Sequence, residues 1–294
     1  MSDDWDQIRG LWESIREGVG DGRPPPAASA AVSRGGPKLS GNPVSITGEA
    51  GAGKTVLCGA LLQAIRSGDP DSRKSPDIEK HKAVIRAGGR RTQTAVTVIP
   101  GQLSLEREQA LTDTMRGEAS PHGIIHVTCW GHNRIWLRSD GRDVRDELAA
   151  AGGPVDEEAV RAWHLEKESL DFRVLADAII DGELAKRLRW LLVVVSKCDL
   201  YWDRLDEARD HYIPGGAPTD SRFAASLRDL RSQTSLRLGV LPMASRLIRH
   251  EFLPGIDDGV SRLDDSQIGV LRGHFNHHLQ RFIASDGGGS HGAS

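Results

Sequence analysis

The sequence predicts an α/β protein. It should hold a mostly parallel sheet with one antiparallel edge strand and helices on both faces, a three-layer sandwich. Two observations carry that prediction. Short buried-strand candidates, Pro43–Thr47, His122–Cys129, Trp190–Val195 and Leu238–Met243, alternate with segments of helical periodicity, the order of a parallel sheet covered on both faces. A glycine pair, Gly88-Gly89, opens the link between the runs His81–Ala87 and Thr92–Ile99, which reads as a hairpin adding the antiparallel edge.

The elements follow in order. Trp5, Ile8, Trp12 and Ile15 recur at spacings of three and four, so residues 3–18 read as an amphipathic helix, with Asp3 and Asp4 in its first turn. Residues 20–42 hold Pro24-Pro25-Pro26 among Ala, Ser and Gly, a linker composition. The helix at 1–19 is therefore a separate piece whose apolar face packs on its own domain or docks a partner. Its five acidic and two basic residues argue against anionic membranes. The main domain is expected over 43–285. After Pro43–Thr47 a helix runs to about Arg66, and polar Ser67–Glu79 reads as a loop. The hairpin follows, then a helix over Leu103–Met115 and the strand His122–Cys129. The interval 131–188 is an extended helical segment with helices at Asp143–Ala151 and Val155–Asp181. In the longer one Val160, Trp163, Leu170, Val174 and Ile179 form the expected apolar stripe, and the charges between them a solvated face. Strand Trp190–Val195, helix Arg222–Leu236, strand Leu238–Met243 and helix Asp265–Ile283 complete the domain, and 286–294 reads as a disordered tail.

The bulk composition narrows the function. With 294 residues, 38% of them hydrophobic, the chain suits one large domain with appendages. A net charge of -3 gives no broad nucleic-acid footprint. Cys58, Cys129 and Cys198 lie far apart, as reduced thiols of a cytoplasmic protein do. No secretory signal or apolar run of about 18 residues is present, so neither export nor a membrane span is expected.

The chemistry begins at Gly48-Glu49-Ala50-Gly51-Ala52-Gly53-Lys54-Thr55, followed by Val56 at the start of an apolar helix. The stretch fits G-x-x-x-x-G-K-[ST], the P-loop, between a strand and a helix as that motif requires. Glycines let backbone N–H groups close around phosphate oxygens, and the helix N-terminus adds its positive dipole end. Lys54 is expected on the outer phosphates and the Thr55 hydroxyl on Mg2+. The choice of base rests on Ser196-Lys197-Cys198-Asp199-Leu200, directly after the strand Trp190–Val195. A carboxylate there lies at the ligand edge of the sheet. Guanine presents two adjacent donors that one carboxylate accepts together, and adenine has no such pair.

On these residues the chain resembles the Ras-like GTPases of the translation-factor-related class, over roughly 41–285. Their base motif is [NT]-K-x-D, matched by Ser196, Lys197 and Asp199, with the serine hydroxyl in place of the first residue. Met243-Ala244-Ser245 resembles the motif whose backbone N–H meets the guanine oxygen, with Ala244 in the central place. Val98-Ile99-Pro100-Gly101-Gln102 aligns with D-x-x-G-Q. The resemblance implies that Gly101 senses the terminal phosphate and that Gln102 orients the attacking water. The aspartate is replaced by Val98, which removes a carboxylate that holds the metal through water. The first switch normally supplies a threonine to the metal, yet none lies between Thr55 and Thr92; Ser72 and Ser75 are the substitutes at hand. The family implies a P-loop GTPase-like fold, GTP or GDP as ligand, Mg2+, hydrolysis and a protein effector; Val98 and Ala50 predict that the hydrolysis is slow. Contacts to that effector are expected at the N-terminal helix, the 131–188 segment or the switch loops. Two readings stand beside this: a nucleotide-binding scaffold without hydrolysis, and an ATP-using P-loop enzyme in which Asp199 ligates the metal. His274, His277 and His278 lack a further spaced ligand for zinc.

Overall fold

The computed structural model describes residues 3–25, 43–62, 79–87, 90–99, 120–135, 138–182, 187–245, 250–253 and 256–284. Six strands form the main sheet: β1 (Val44–Thr47), β2 (Glu79–Ala87), β3 (Arg90–Val98), β4 (Gly123–Thr128), β5 (Trp190–Val195) and β6 (Arg237–Pro242). Their order is β2-β3-β1-β4-β5-β6, parallel except for the β2–β3 hairpin. The α/β sandwich and its antiparallel edge strand are as the sequence predicts. Ala87 pairs with Arg90 at the end of the hairpin. Helices are α1 (Asp3–Gly20), α2 (Lys54–Leu62), α3 (Arg138–Ala150), α4 (Glu157–Ile180), α5 (Leu205–Tyr212), α6 (Arg222–Gln233) and α7 (Asp265–Ala284). A short hairpin, β7 (His250–Leu253) with β8 (Ile256–Gly259), lies outside the main sheet. The expected helix over Leu103–Met115 and the polar loop with Ser72 and Ser75 lie outside the described residues.

Why β5 sits deep in the sheet follows from its composition. Trp190-Leu191-Leu192-Val193-Val194-Val195 is apolar on both faces and fully buried. Leu191, Val193 and Val195 join one core with residues of α1, α4, α5 and α6. Trp190, Leu192 and Val194 join the other with residues of α2 and α7. One strand thus feeds two cores, which makes the architecture three-layered. β1 lies between β3 and β4, where strand order reverses. Ligands of open α/β sheets bind at the carboxyl ends of strands at such a point, and the glycine loop follows β1 directly.

Helix α1 spends its apolar face on its own domain. Trp12, Ile15 and Val19 are buried in the first core, and the Trp12 indole N–H donates to Val240 O at 2.9 Å on the free edge of β6.

The stripe expected on α4 is a correction. Val160 and Ile179 are buried, Trp163 is half-buried, and Leu170 and Val174 are 47% and 56% exposed. The buried face runs Val160, His164, Glu168, Phe172, Leu175, Ala176 and Ile179, at spacings of three and four. Glu168 occupies the inner face because it has hydrogen-bond partners there. Asp156 caps the helix by accepting from Ala159 N at 2.9 Å.

Candidate functional site

The glycine loop is built around three left-handed residues: Gly48 at φ 129°, Gly51 at 75° and Gly53 at 100°. A Cβ at Gly48 would stand 2.1 Å from Val127 O, and one at Gly51 2.4 Å from Arg134 O. Close packing and backbone conformation therefore both demand glycine at these two positions. Lys54 reaches back over the loop and donates from Nζ to Gly48 O at 2.9 Å and Glu49 O at 2.8 Å. Thr55 is exposed in the first turn of α2 and Val56 is half-buried.

The segment after β5 is clipped to this loop. Ser196 Oγ donates to Ala52 O at 2.5 Å. Lys197 Nζ donates to Gly51 O at 2.7 Å and to His132 O at 2.6 Å. Lys197 is left-handed at φ 56°, a strained conformation for a residue with a Cβ. Burial holds its ammonium pKa below the ordinary range, with Glu168 among the groups opposing that shift. The serine, lysine and phosphate loop of the expected motif are thus in contact.

Asp199 is fully buried, and neither carboxylate oxygen accepts a hydrogen bond. The Ser261 hydroxyl nearby directs its proton to Leu263 O at 2.8 Å. Arg262 N donates to Asp199 O at 2.8 Å, so this turn packs against the aspartate. Burial raises the carboxyl pKa, with Ser261 and Lys197 acting in the opposite sense. Ser261 and the Asp199 N–H approach the carboxylate without closing a good hydrogen bond, and a buried acceptor pair so weakly satisfied is costly unless a ligand supplies donors. Leu200 is buried beside it, Ala244 is buried and Ser245 half-buried after β6. Cys198 N donates to Met243 O at 3.2 Å, which ties the segments after β5 and β6 together.

A third segment, 129–134, was not legible as part of the site. Asn133 Nδ2 donates to Glu49 Oε2 at 3.1 Å and to Ala50 O at 3.0 Å. The whole segment is anchored by Glu168 of α4, which is 1% exposed. Its Oε1 accepts from Cys129 N at 3.0 Å and Gly131 N at 3.3 Å, and Oε2 accepts from the Tyr212 hydroxyl. Trp130, left-handed at φ 52°, donates its N–H to Tyr212 Oη at 2.8 Å. His164 Nδ1 lies 3.7 Å from Glu49 Oε1, and burial pulls the imidazole pKa down to about 4. Burial pushes the Glu168 carboxyl up. The signal in the sequence was polar residues at the helical spacing of buried ones: His164 and Glu168 stand four apart, in step with Val160 and Phe172.

Gly101 and Gln102 lie outside the described residues. Val98 does end β3 beside β1, paired with Ile46, and is 5% exposed. Among the described residues no three acidic, histidine or cysteine side chains group to hold a metal. For Mg2+ the residues at hand fit only in part, through the Thr55 hydroxyl. Compared with known proteins, the chain matches no family model and no curated sequence.

Proposed function

We propose that the chain binds GTP and GDP and acts as a nucleotide-dependent switch with slow hydrolysis. The observation that carries this reading is Asp199: a buried carboxylate with no well-formed hydrogen bond to either oxygen, on a segment hydrogen-bonded to the glycine loop. Guanine supplies two adjacent donors of the matching kind. Gly48–Gly53 close amides around the phosphates, Lys54 exchanges its loop carbonyls for phosphate oxygens, and Thr55 holds Mg2+, which neutralises developing charge when bound. Gly101 senses the terminal phosphate and Gln102 orients the attacking water. Ala244 and Ser245 face the base, and Leu200 packs behind Asp199. A protein effector reads the state through the switch loops, the 131–188 segment or the N-terminal helix. No helix among the described residues is long and apolar enough to cross a membrane. The three cysteines are buried thiols not joined in disulfides, which supports a reducing, cytoplasmic setting.

The test is Asp199→Asn, which exchanges two acceptors for one acceptor and one donor. The variant should lose GTP and gain xanthosine triphosphate; equal loss of both nucleotides overturns the assignment. Val98 favours a second reading, a guanine-nucleotide scaffold that does not turn over. Hydrolysis at saturating magnesium separates the two. A measurable slow rate abolished by Gln102→Ala supports the hydrolase, and a rate indistinguishable from buffer supports the scaffold.

A further inference from the structure

The outward face of α4 is apolar where the helix meets solvent. Among the described residues three large hydrophobic side chains are exposed, and two of them, Leu170 and Val174, stand one turn apart on this helix. They form a ridge. Beside it a groove of about 280 Å³ runs between α4 and α6, with Ala176 and Ile180 of α4 and Ala225 of α6 among its lining residues. The charges along the groove are balanced: Arg173 and Arg222 against Asp177 and Asp229. Arg173 lies 3.6 Å from Asp177 within α4, and Glu166 of α4 pairs with Arg222 of α6. These pairs are exposed, so they contribute little to the fold itself.

We infer that this face binds a second copy of the chain across a two-fold axis. Ridge and groove lie side by side, so each copy offers both halves of a ridge-into-groove contact, as an isologous interface requires. The charge pattern selects the same occupant. A strongly acidic or strongly basic partner meets as many like charges as opposite ones, whereas a second copy brings the matching set. In an antiparallel α4–α4 pair with the axis level with Leu175, Arg173 faces the partner's Asp177 and Leu170 faces the partner's Ile180. Size permits this. At 24 residues α4 is about 36 Å long, and a strip of that length about 20 Å across is close to the ~800 Å² per partner of a stable interface.

Sedimentation equilibrium of the full-length protein, from micromolar to submillimolar concentration, should show a monomer–dimer equilibrium with no larger species. Leu170→Glu should weaken the dimer by about tenfold or more, as loss of a central anchor does. Val260→Glu, at the third exposed hydrophobic side chain, should leave it unchanged. Arg173→Asp sets acid against acid at both ends of the axis, and Asp177→Arg sets base against base, so each alone should weaken the dimer by about tenfold or more. Mixed together, the two variants should pair again, because every contact is then between opposite charges. Should either charge variant unfold, the double exchange of Arg173→Asp with Asp177→Arg replaces the mixture and must dimerise like the wild type. A monomeric wild type throughout the range overturns the inference in favour of a different partner. Larger open-ended assemblies, equal effects of Leu170→Glu and Val260→Glu, charge variants that dimerise alone like the wild type, or a mixture that stays monomeric overturn it as well.

Discussion

Removing the Glu168 carboxylate should loosen the glycine loop Gly48–Gly53 from the far side of the domain. Glu168→Ala strands three buried donors, Cys129 N, Gly131 N and the Tyr212 hydroxyl. Each costs about 1–3 kcal/mol when left unpaired, and loss of one partner from a buried network typically totals about 3–5 kcal/mol. Glu168→Gln keeps an oxygen for both backbone donors and strands only the Tyr212 proton, so about 1 kcal/mol is expected. The two variants also differ from the wild type in pH dependence. The folded-state pKa of Glu168 is raised above 4.5. Between 4.5 and that raised value the folded protein keeps a proton the unfolded chain has released. Wild-type stability therefore carries a component that falls as pH rises through this window and is flat above it. Neither variant has that component. Urea unfolding followed by tryptophan fluorescence at several pH values from 4.5 upward measures all of this. The reasoning is refuted if Glu168→Ala costs less than about 1 kcal/mol, below the least worth of a single stranded donor. It is refuted equally if glutamine and alanine cost the same, or if the wild-type minus glutamine difference does not change with pH.

The remaining predictions concern the loop and its surroundings. Gly51→Ala places a Cβ 2.4 Å from Arg134 O in a left-handed residue, and should cost more than 2 kcal/mol by the same urea assay, beyond the ~1–2 kcal/mol of a left-handed non-glycine residue alone. Gly152→Ala is the control: it is left-handed at φ 73° with open space around it, so only the conformational cost applies. Equal losses at the two positions would mean that the contact with Arg134 does not constrain the loop. His164, with a folded pKa of about 4 against an ordinary 6.5, contributes stability that is lost as pH falls from 6.5 through 4, on the order of 3 kcal/mol. His164→Gln should flatten that part of the acid-unfolding profile, and an unchanged profile contradicts the assignment.

The elements that the sequence disclosed were those where local composition and tertiary environment agree. Trp190–Val195 is apolar on both faces and became a central strand. The two alternating runs on either side of Gly88-Gly89 pair as an antiparallel hairpin. The glycine loop declared itself because Gly48, Gly51 and Gly53 take φ values that other residues avoid. The face of α4 was misread for a physical reason. Leu170 and Val174 look like core residues and Glu168 like surface, because periodicity weighs a side chain by its own polarity and not by its partners. Glu168 is inside because two amides and a phenol satisfy it. The 129–134 segment was opaque for a related reason: its role depends on backbone carbonyls and amides, such as His132 O, which any residue type offers. Asp199 was legible from its position after β5, while the turn that packs against it, Ser261–Leu263, carries no pattern of its own.

The central claim is that Asp199 selects the purine. Isothermal calorimetry with GTP and ATP on the wild-type protein, at fixed magnesium, tests it most directly. GTP should bind at least a hundredfold more tightly, since two charge-assisted hydrogen bonds at about 1.5–3 kcal/mol each separate the two bases. Affinities for GTP and ATP within a factor of three of each other would contradict it.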